Sequence, residues 1–133
     1  MIVVAAVIVH GGKILACQRS AAGKFPLKWE FPGGKVQPNE TPQEALAREL
    51  AEELDVAAKI GPLIFHTRHK YAEMHESVEL LFFRAEIESV EIANRVFSEV
   101  RWLPPEGLPY LDFLEADLEL VQKLPAEKFA CKT

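Results

Sequence analysis

The segment Gly33 to Val56, GGKVQPNETPQEALARELAEELDV, constrains the fold of this chain more than any other. Thr41 is a good N-cap, and Pro42 suits the first helical position because the N–H it lacks would have gone unpaired there. Glu44, three residues after Thr41, completes a capping box. The run QEALARELAEEL is built almost wholly of strong helix formers. Leu46, Leu50 and Leu54 recur every fourth residue and form an apolar stripe that must be buried. Glu49, Glu52 and Glu53 fall at i, i+3 and i+4, so their side chains share a patch on the flank of that stripe. The spacing requires a helix that buries one face and carries a rim of acid beside it.

Like charges at this spacing repel by about 0.2–0.5 kcal/mol per pair even on an exposed helix. The plain reading is a solvated acidic face, with Arg48 and Glu44 in i, i+4 contact. The functional reading rests on two features. Gly33-Gly34 precedes the helix as a turn where backbone approaches a ligand closely and a carbonyl can face a metal. The glutamates also flank the apolar stripe instead of opposing it, which places them at a rim. Carboxylate oxygens are hard ligands suited to Mg²⁺ or Mn²⁺, and Mg²⁺ shares its shell with substrate phosphates.

At 133 residues the chain is expected to be one domain, 1–133, with a core of its own. Its net charge of −5 argues against nucleic acid as a partner, so an anionic substrate needs local positive charge or metal. Cys17 and Cys131 are too few and too distant for a disulfide framework. The apolar start, Met1 to Val9, lacks a basic leader and is too short to span a bilayer, so no membrane association and a cytoplasmic location are expected.

Ile2 to Val9, Gly11-Gly12 and Lys13 to Gln18 read as a β-hairpin whose first arm is buried on both faces. Arg19 to Lys28 is a small, basic loop. Either its charges are solvated, or Arg19, Lys24 and Lys28 hold phosphates. Trp29 to Pro32 is a short aromatic strand leading into the Gly-Gly turn. Ala57 to His66 is extended and broken at Gly61-Pro62. Thr67 to Glu76 is a polar loop whose His69 and His75 lack the partner spacing of metal ligands. Ser77 to Glu88 and Glu99 to Leu103 are strands, joined by a weakly patterned connection. Leu111 to Leu124 is expected to be a final helix, followed by a peripheral tail from Pro125. The element pattern predicts a mixed α+β or α/β sandwich, with a curved mixed sheet between helices.

The box resembles the Nudix signature, G-x5-E-x7-R-E-U-x-E-E-x-G-U, at Gly34, Glu40, Arg48, Glu49, Leu50, Glu52, Glu53 and Val56. Asp55 departs from it, standing where the pattern has glycine. WEFPGGKV at Trp29–Val36 and RWLPPEGLPYLDFLEAD at Arg101–Asp117 are similar to the MutT-like branch, so the likeness covers nearly the whole chain. The resemblance implies a Nudix-type α/β/α sandwich and Mg²⁺- or Mn²⁺-dependent hydrolysis of a nucleoside diphosphate linked to X. In that branch X makes a nucleoside triphosphate, cleaved to monophosphate and pyrophosphate.

By the same resemblance Glu49, Glu52, Glu53 and the Gly33 carbonyl would be metal ligands. Arg48 would orient the glutamates, and Glu40 would stand in an outer shell. Arg19 and Lys24 align with phosphate-contacting positions, Phe31 with a wall of the base pocket, and Asp117 with a base-recognising amide. An ionised Asp117, with Glu76 near the base, would suit an exocyclic amino group. Glu99 is the nearest counterpart of a further metal-binding glutamate. Either Glu49 or Glu53 would be the general base. Asp55 is expected to carry a small stability cost, since it adopts a left-handed conformation better than most residues yet adds negative charge at the helix C-terminus. Other substrates of the same chemistry are a dinucleoside polyphosphate, a nucleotide sugar or an RNA 5′ end. A non-catalytic nucleotide-binding module is the reading from another class. The protein is expected to be a monomer or homodimer.

Overall fold

The computed structural model describes residues 1–72 and 76–126. Strand β1 (Ile2–His10) is the axis of the molecule. It turns at Gly11-Gly12 into β2 (Lys13–Gln18). Both glycines have positive φ, 57° and 78°, as a two-residue hairpin requires to match the twist of its strands. The other elements are β3 (Trp29–Glu30), β4 (Gly33–Lys35), α1 (Pro42–Leu54), β5 (Ala58–His69), β6 (Val78–Ile87), β7 (Glu99–Leu103) and α2 (Leu118–Lys123).

Among the described residues the strands form one mixed sheet in the order β3-β2-β1-β6-β5, with β4 also against β1 and β7 against β2. β1 runs parallel to β6 from Ile2↔Glu79 to Ile8↔Ala85 and antiparallel to β4, where Ala5 faces Gly33. Strand alternation then sorts β1 onto two cores. Val4, Ala6 and Ile8 pack with Leu46, Leu50 and Leu54 of α1; Ala5, Val7 and Val9 pack on the other face with Phe82, Phe113, Leu120 and Val121. The three leucines of the α1 stripe are fully buried. Each contributes roughly 1.5–3 kcal/mol by leaving water, so α1 is fixed in rotation. The expected mixed sheet with helices on its faces is what forms.

Some expectations need correction. Gly33-Gly34 is no turn; it is strand β4, and neither glycine has positive φ. Close approach explains them: a Cβ on Gly33 would lie 1.9 Å from the Val4 carbonyl oxygen. β5 is not broken at Gly61-Pro62; it continues to His69 with register shifts between Ile60 and Phe65, bulges that let an edge strand carry proline. The loop expected from Thr67 shrinks accordingly.

The helix expected over Leu111 to Leu124 is mostly absent. Trp29 N–H donates to the Asp112 carbonyl at 2.9 Å and Leu114 N–H donates to the Trp29 carbonyl at 2.9 Å, which holds this stretch extended beside β3. Short 3-10 turns at Pro105–Tyr110 and Glu115–Asp117 precede the short α2. His75, Cys131 and most of the expected tail lie outside the described residues. Among the described residues no helix is long and apolar enough to cross a membrane.

Candidate active site

Helix α1 begins as its sequence demands. Thr41 Oγ1 accepts the Glu44 N–H at 3.1 Å, and Glu44 Oε1 accepts the Thr41 N–H at 2.8 Å. That engagement takes Glu44 away from the contact with Arg48 expected of a solvated face. Arg48 instead forks onto Glu40, with Nη2 2.7 Å from Oε1 and Nε 3.1 Å from Oε2. Its Nη1 reaches Glu49 at 2.8 Å, and Glu52 lies beyond at 3.4 Å. This bidentate clamp holds the Glu40 carboxyl below its usual range, through the Arg48 bonds first and the Gln37 N–H second. Glu40 is thus a strut for Arg48, and Arg48 is a strut for Glu49.

The acids of the box have unequal surroundings. Glu52 is 59% exposed and Glu49 17%. Glu49 lies against β4, where a Cβ on Gly34 would fall 2.4 Å from its carboxyl carbon. Glu53 points inward. Its Oε1 is buried without a hydrogen-bond partner, although the Gly33 N–H bonds its carboxylate. Burial, followed by the charges of Glu49 and Glu30, pushes the Glu53 pKa up to about 8 against the pull of that N–H.

Among the described residues no set of His, Cys, Asp and Glu side chains stands gathered as a metal cage. Arg48 holds Glu49, and Glu52 faces solvent. The donor set nevertheless fits a hard divalent cation. It consists of carboxylate oxygens, one of them buried and unpaired, and its charged form is penalised in a way that a cation relieves.

Glu53, Gly33 and Gly34 line a cavity of about 300 Å³. Its other walls bring together residues far apart in sequence: Arg19, Lys24, Phe31 and Asp117, all expected from sequence, with Phe25, Glu30 and Tyr71. Phe31 is 3% exposed and is fixed by Phe113 and, edge-on, by Phe82, at centroid distances of 5.2 and 6.1 Å. Arg19 donates to Glu30 at 3.0 Å and to the Lys24 carbonyl at 3.0 Å. Asp117 is 3% exposed. Burial and then the Glu30 charge raise its pKa well above the usual carboxylate value, against the Phe31 N–H and Arg19. The shift is toward the neutral acid, the form that offers a donor as well as an acceptor.

The remaining candidates fall elsewhere. Lys28 pairs with Asp112 at 2.8 Å and does not line the cavity. Glu76 is exposed and also off its wall. Glu99 is bound by Arg101 and paired in register with Gln18 on the sheet. Sequence reasoning missed Glu30, which couples electrostatically to Glu53, Tyr71 and Asp117. An acid between two aromatics in a short strand was the available signal. Tyr71, 7% exposed, lay in a stretch whose polarity suggested only a loop.

The site thus combines a mixed sheet, a glutamate helix against a glycine strand and an aromatic pocket alongside. The NUDIX domain model matches residues 1–124, and the chain belongs to that family. A CTP pyrophosphohydrolase of Escherichia coli is 50% identical over 62 residues, a stretch covering 47% of this chain and 46% of that protein. The similarity thus spans about half the length of that relative. An 8-oxo-dGTP diphosphatase of Haemophilus influenzae is 32% identical over 126 residues, covering 93% of this chain and 91% of that one. Among solved structures, the E. coli ORF135 protein superposes with a TM-score of 0.81 at 30% identity, covering 99% of this chain and 93% of that one. The MutT protein of Methanosarcina mazei gives 0.84 at 25%, covering 97% and 95%.

Proposed function

We propose that this protein hydrolyses nucleoside triphosphates to the monophosphate and pyrophosphate in the cytoplasm, with Mg²⁺ or Mn²⁺ held by the Gly33 carbonyl, Glu49, Glu52 and Glu53. The observation that carries the reading is the mixed lining of one cavity: Phe25, Phe31 and Tyr71, which suit a base, share it with Glu53, β4 and the cationic side chains of Arg19 and Lys24. A nucleotide is the ligand with that polarity: a flat apolar head joined to a chain of anions. The named activities of the pyrophosphohydrolase and diphosphatase relatives support the same class.

In this reading the base lies against Phe31, and Asp117 with the Phe31 backbone addresses its polar edge. Arg19 exchanges Glu30 for a phosphate, and Lys24 adds a second positive charge. A bound divalent cation supplies charge neutralisation on the phosphates and lowers the pKa of attacking water. Glu49 or Glu53 takes the water proton as the oxygen bonds to phosphorus and the α–β anhydride breaks. Arg48, braced by Glu40, keeps Glu49 in place. The net charge of −5 favours a free nucleotide over a nucleic acid.

Modified purine and cytosine nucleotides are the candidates for the base, each supported by one named relative. The test is a panel of canonical, oxidised and methylated triphosphates with Mg²⁺, read as pyrophosphate released. Turnover by the wild type, and its loss in Glu53→Gln, is the expected result. No turnover on any member, with Glu53→Gln indistinguishable, overturns the proposal. Asp117→Asn is expected to move the preference between purine and cytosine.

A further inference from the structure

α1 ends at Asp55, whose φ of 55° and ψ of 42° are left-handed, and whose N–H caps the Ala51 carbonyl. This is the position where the family pattern carries glycine, so the chain places a strained residue at a site that favours none. It also puts an anion at the negative end of the helix, which has no basic residue in its own last turn. The missing cation comes from elsewhere in the chain. Arg95 Nη2 lies 3.2 Å from Asp55 Oδ2. The same segment supplies backbone donors that α1 lacks at its end: Arg95 N–H reaches the Glu53 carbonyl at 3.0 Å, and Ala93 N–H the Leu54 carbonyl at 3.0 Å.

Residues 93–98 are tied at both ends. Asn94 bonds the Phe97 backbone twice, donating to its carbonyl and accepting its N–H, each at 2.8 Å. Ser98 N–H donates to the Gln18 carbonyl at 2.9 Å. The knot so formed presents Val96 and Phe97 to a small polar pocket of about 170 Å³, whose other walls are Arg19, Ser20, Ala22, Glu30 and Glu53. It therefore borders the Glu53 side chain while also bonding the Glu53 backbone.

We propose that the Asp55–Arg95 pair is a latch that docks residues 93–97 on the end of the glutamate helix, making both of them positioning residues for the phosphate side of the site. Docked, the segment caps α1, fixes the Glu53 backbone and sets Val96 and Phe97 on the wall of the polar pocket that Glu53 also lines. Undocked, it exposes the last carbonyls of α1 and opens the polar pocket. Asp55 is thereby explained as a partner for Arg95, in a place where glycine would suit the backbone better. The catalytic consequence rests on the proposed hydrolysis; the docking does not.

The test uses the whole protein and the variants Asp55→Gly, Arg95→Ala, Arg95→Lys and the double variant Asp55→Gly/Arg95→Ala. Hydrogen exchange at the Ala93 and Arg95 amides reads docking without reference to any activity. A half-exposed ion pair is worth up to about 1 kcal/mol, so these amides should exchange up to about fivefold faster in Asp55→Gly and in Arg95→Ala. The double variant should be no faster than either single one, and Arg95→Lys should restore slow exchange. Asp55→Gly should leave Tm unchanged or higher, because glycine relieves the positive φ. With the triphosphate that the wild type turns over best, kcat should fall severalfold in both single variants while KM moves less than twofold.

Unchanged amide exchange in Arg95→Ala, or additive effects in the double variant, overturns the latch. Faster exchange with unchanged kcat overturns the positioning role. Absence of turnover in the wild type is a failure of the hydrolase reading, and the exchange result still decides the latch.

Discussion

Replacing Glu53 by glutamine should stabilise the metal-free protein at alkaline pH while removing its activity. The magnitude follows from the position of that carboxyl. Its pKa rises from 4.5 to about 8, chiefly through burial and then through the charges of Glu49 and Glu30. Below pH 4.5 the group is protonated in both folded and unfolded chains. Between 4.5 and about 8 the folded chain holds a proton that the unfolded chain has lost, so stability falls as pH rises through this window. Above it the loss is complete. At about 1.36 kcal/mol per pH unit the ceiling is about 5 kcal/mol. Glu52 is open to solvent, and water reaches the cavity, so screening brings the expected value to about 2 kcal/mol. Glutamine matches the shape of the protonated acid and removes the term. For a chain of this size that is a Tm gain of roughly 6–10 °C. The assay is calorimetry in EDTA from pH 5 to 9, with urea unfolding as a second measure. Wild type and Glu53→Gln should coincide near pH 5 and separate above pH 7. A wild type that gains stability from pH 5 to 8, or a variant no more stable at pH 8.5, refutes the claim that Glu53 is held in a site hostile to its charge.

The two glycines of β4 should fail in different ways. Gly33→Ala drives a Cβ to 1.9 Å from the Val4 carbonyl, so β4 must separate from β1 and urea unfolding should show a loss of more than about 2 kcal/mol. Gly34→Ala meets first the Glu49 carboxyl, a movable group, and should keep most of its stability while pyrophosphate release falls at least tenfold. Leu50→Ala empties a fully buried position under α1 and should cost about 2–5 kcal/mol in urea unfolding. Arg19→Ala should raise KM for triphosphates about tenfold, the worth of one charge-assisted hydrogen bond, with kcat less affected; an unchanged KM would remove Arg19 from phosphate binding.

Sequence by itself determined the elements whose physics is local. The capping box at Thr41 and Glu44, the leucine stripe and the glycine hairpin each depend on contacts within a few residues, and the structure keeps all of them. Spacing along α1 also placed Glu49, Glu52 and Glu53 beside the buried stripe, and the box with its flanks was enough to point to the family. Spacing does not reveal which acid is desolvated. Only the sheet decides that, because β4 pairs antiparallel with β1 and lies against α1, burying Glu53 and leaving Glu52 in water. Tertiary structure also undid the helical pattern of residues 111–117: backbone bonds to Trp29 outweigh a weak local preference, and they carry Asp117 to the Phe31 backbone. Glu30, Tyr71 and the Asp55–Arg95 pair belong to the same class. Each depends on partners far along the chain, and no local periodicity encodes a contact that exists only after the sheet has formed.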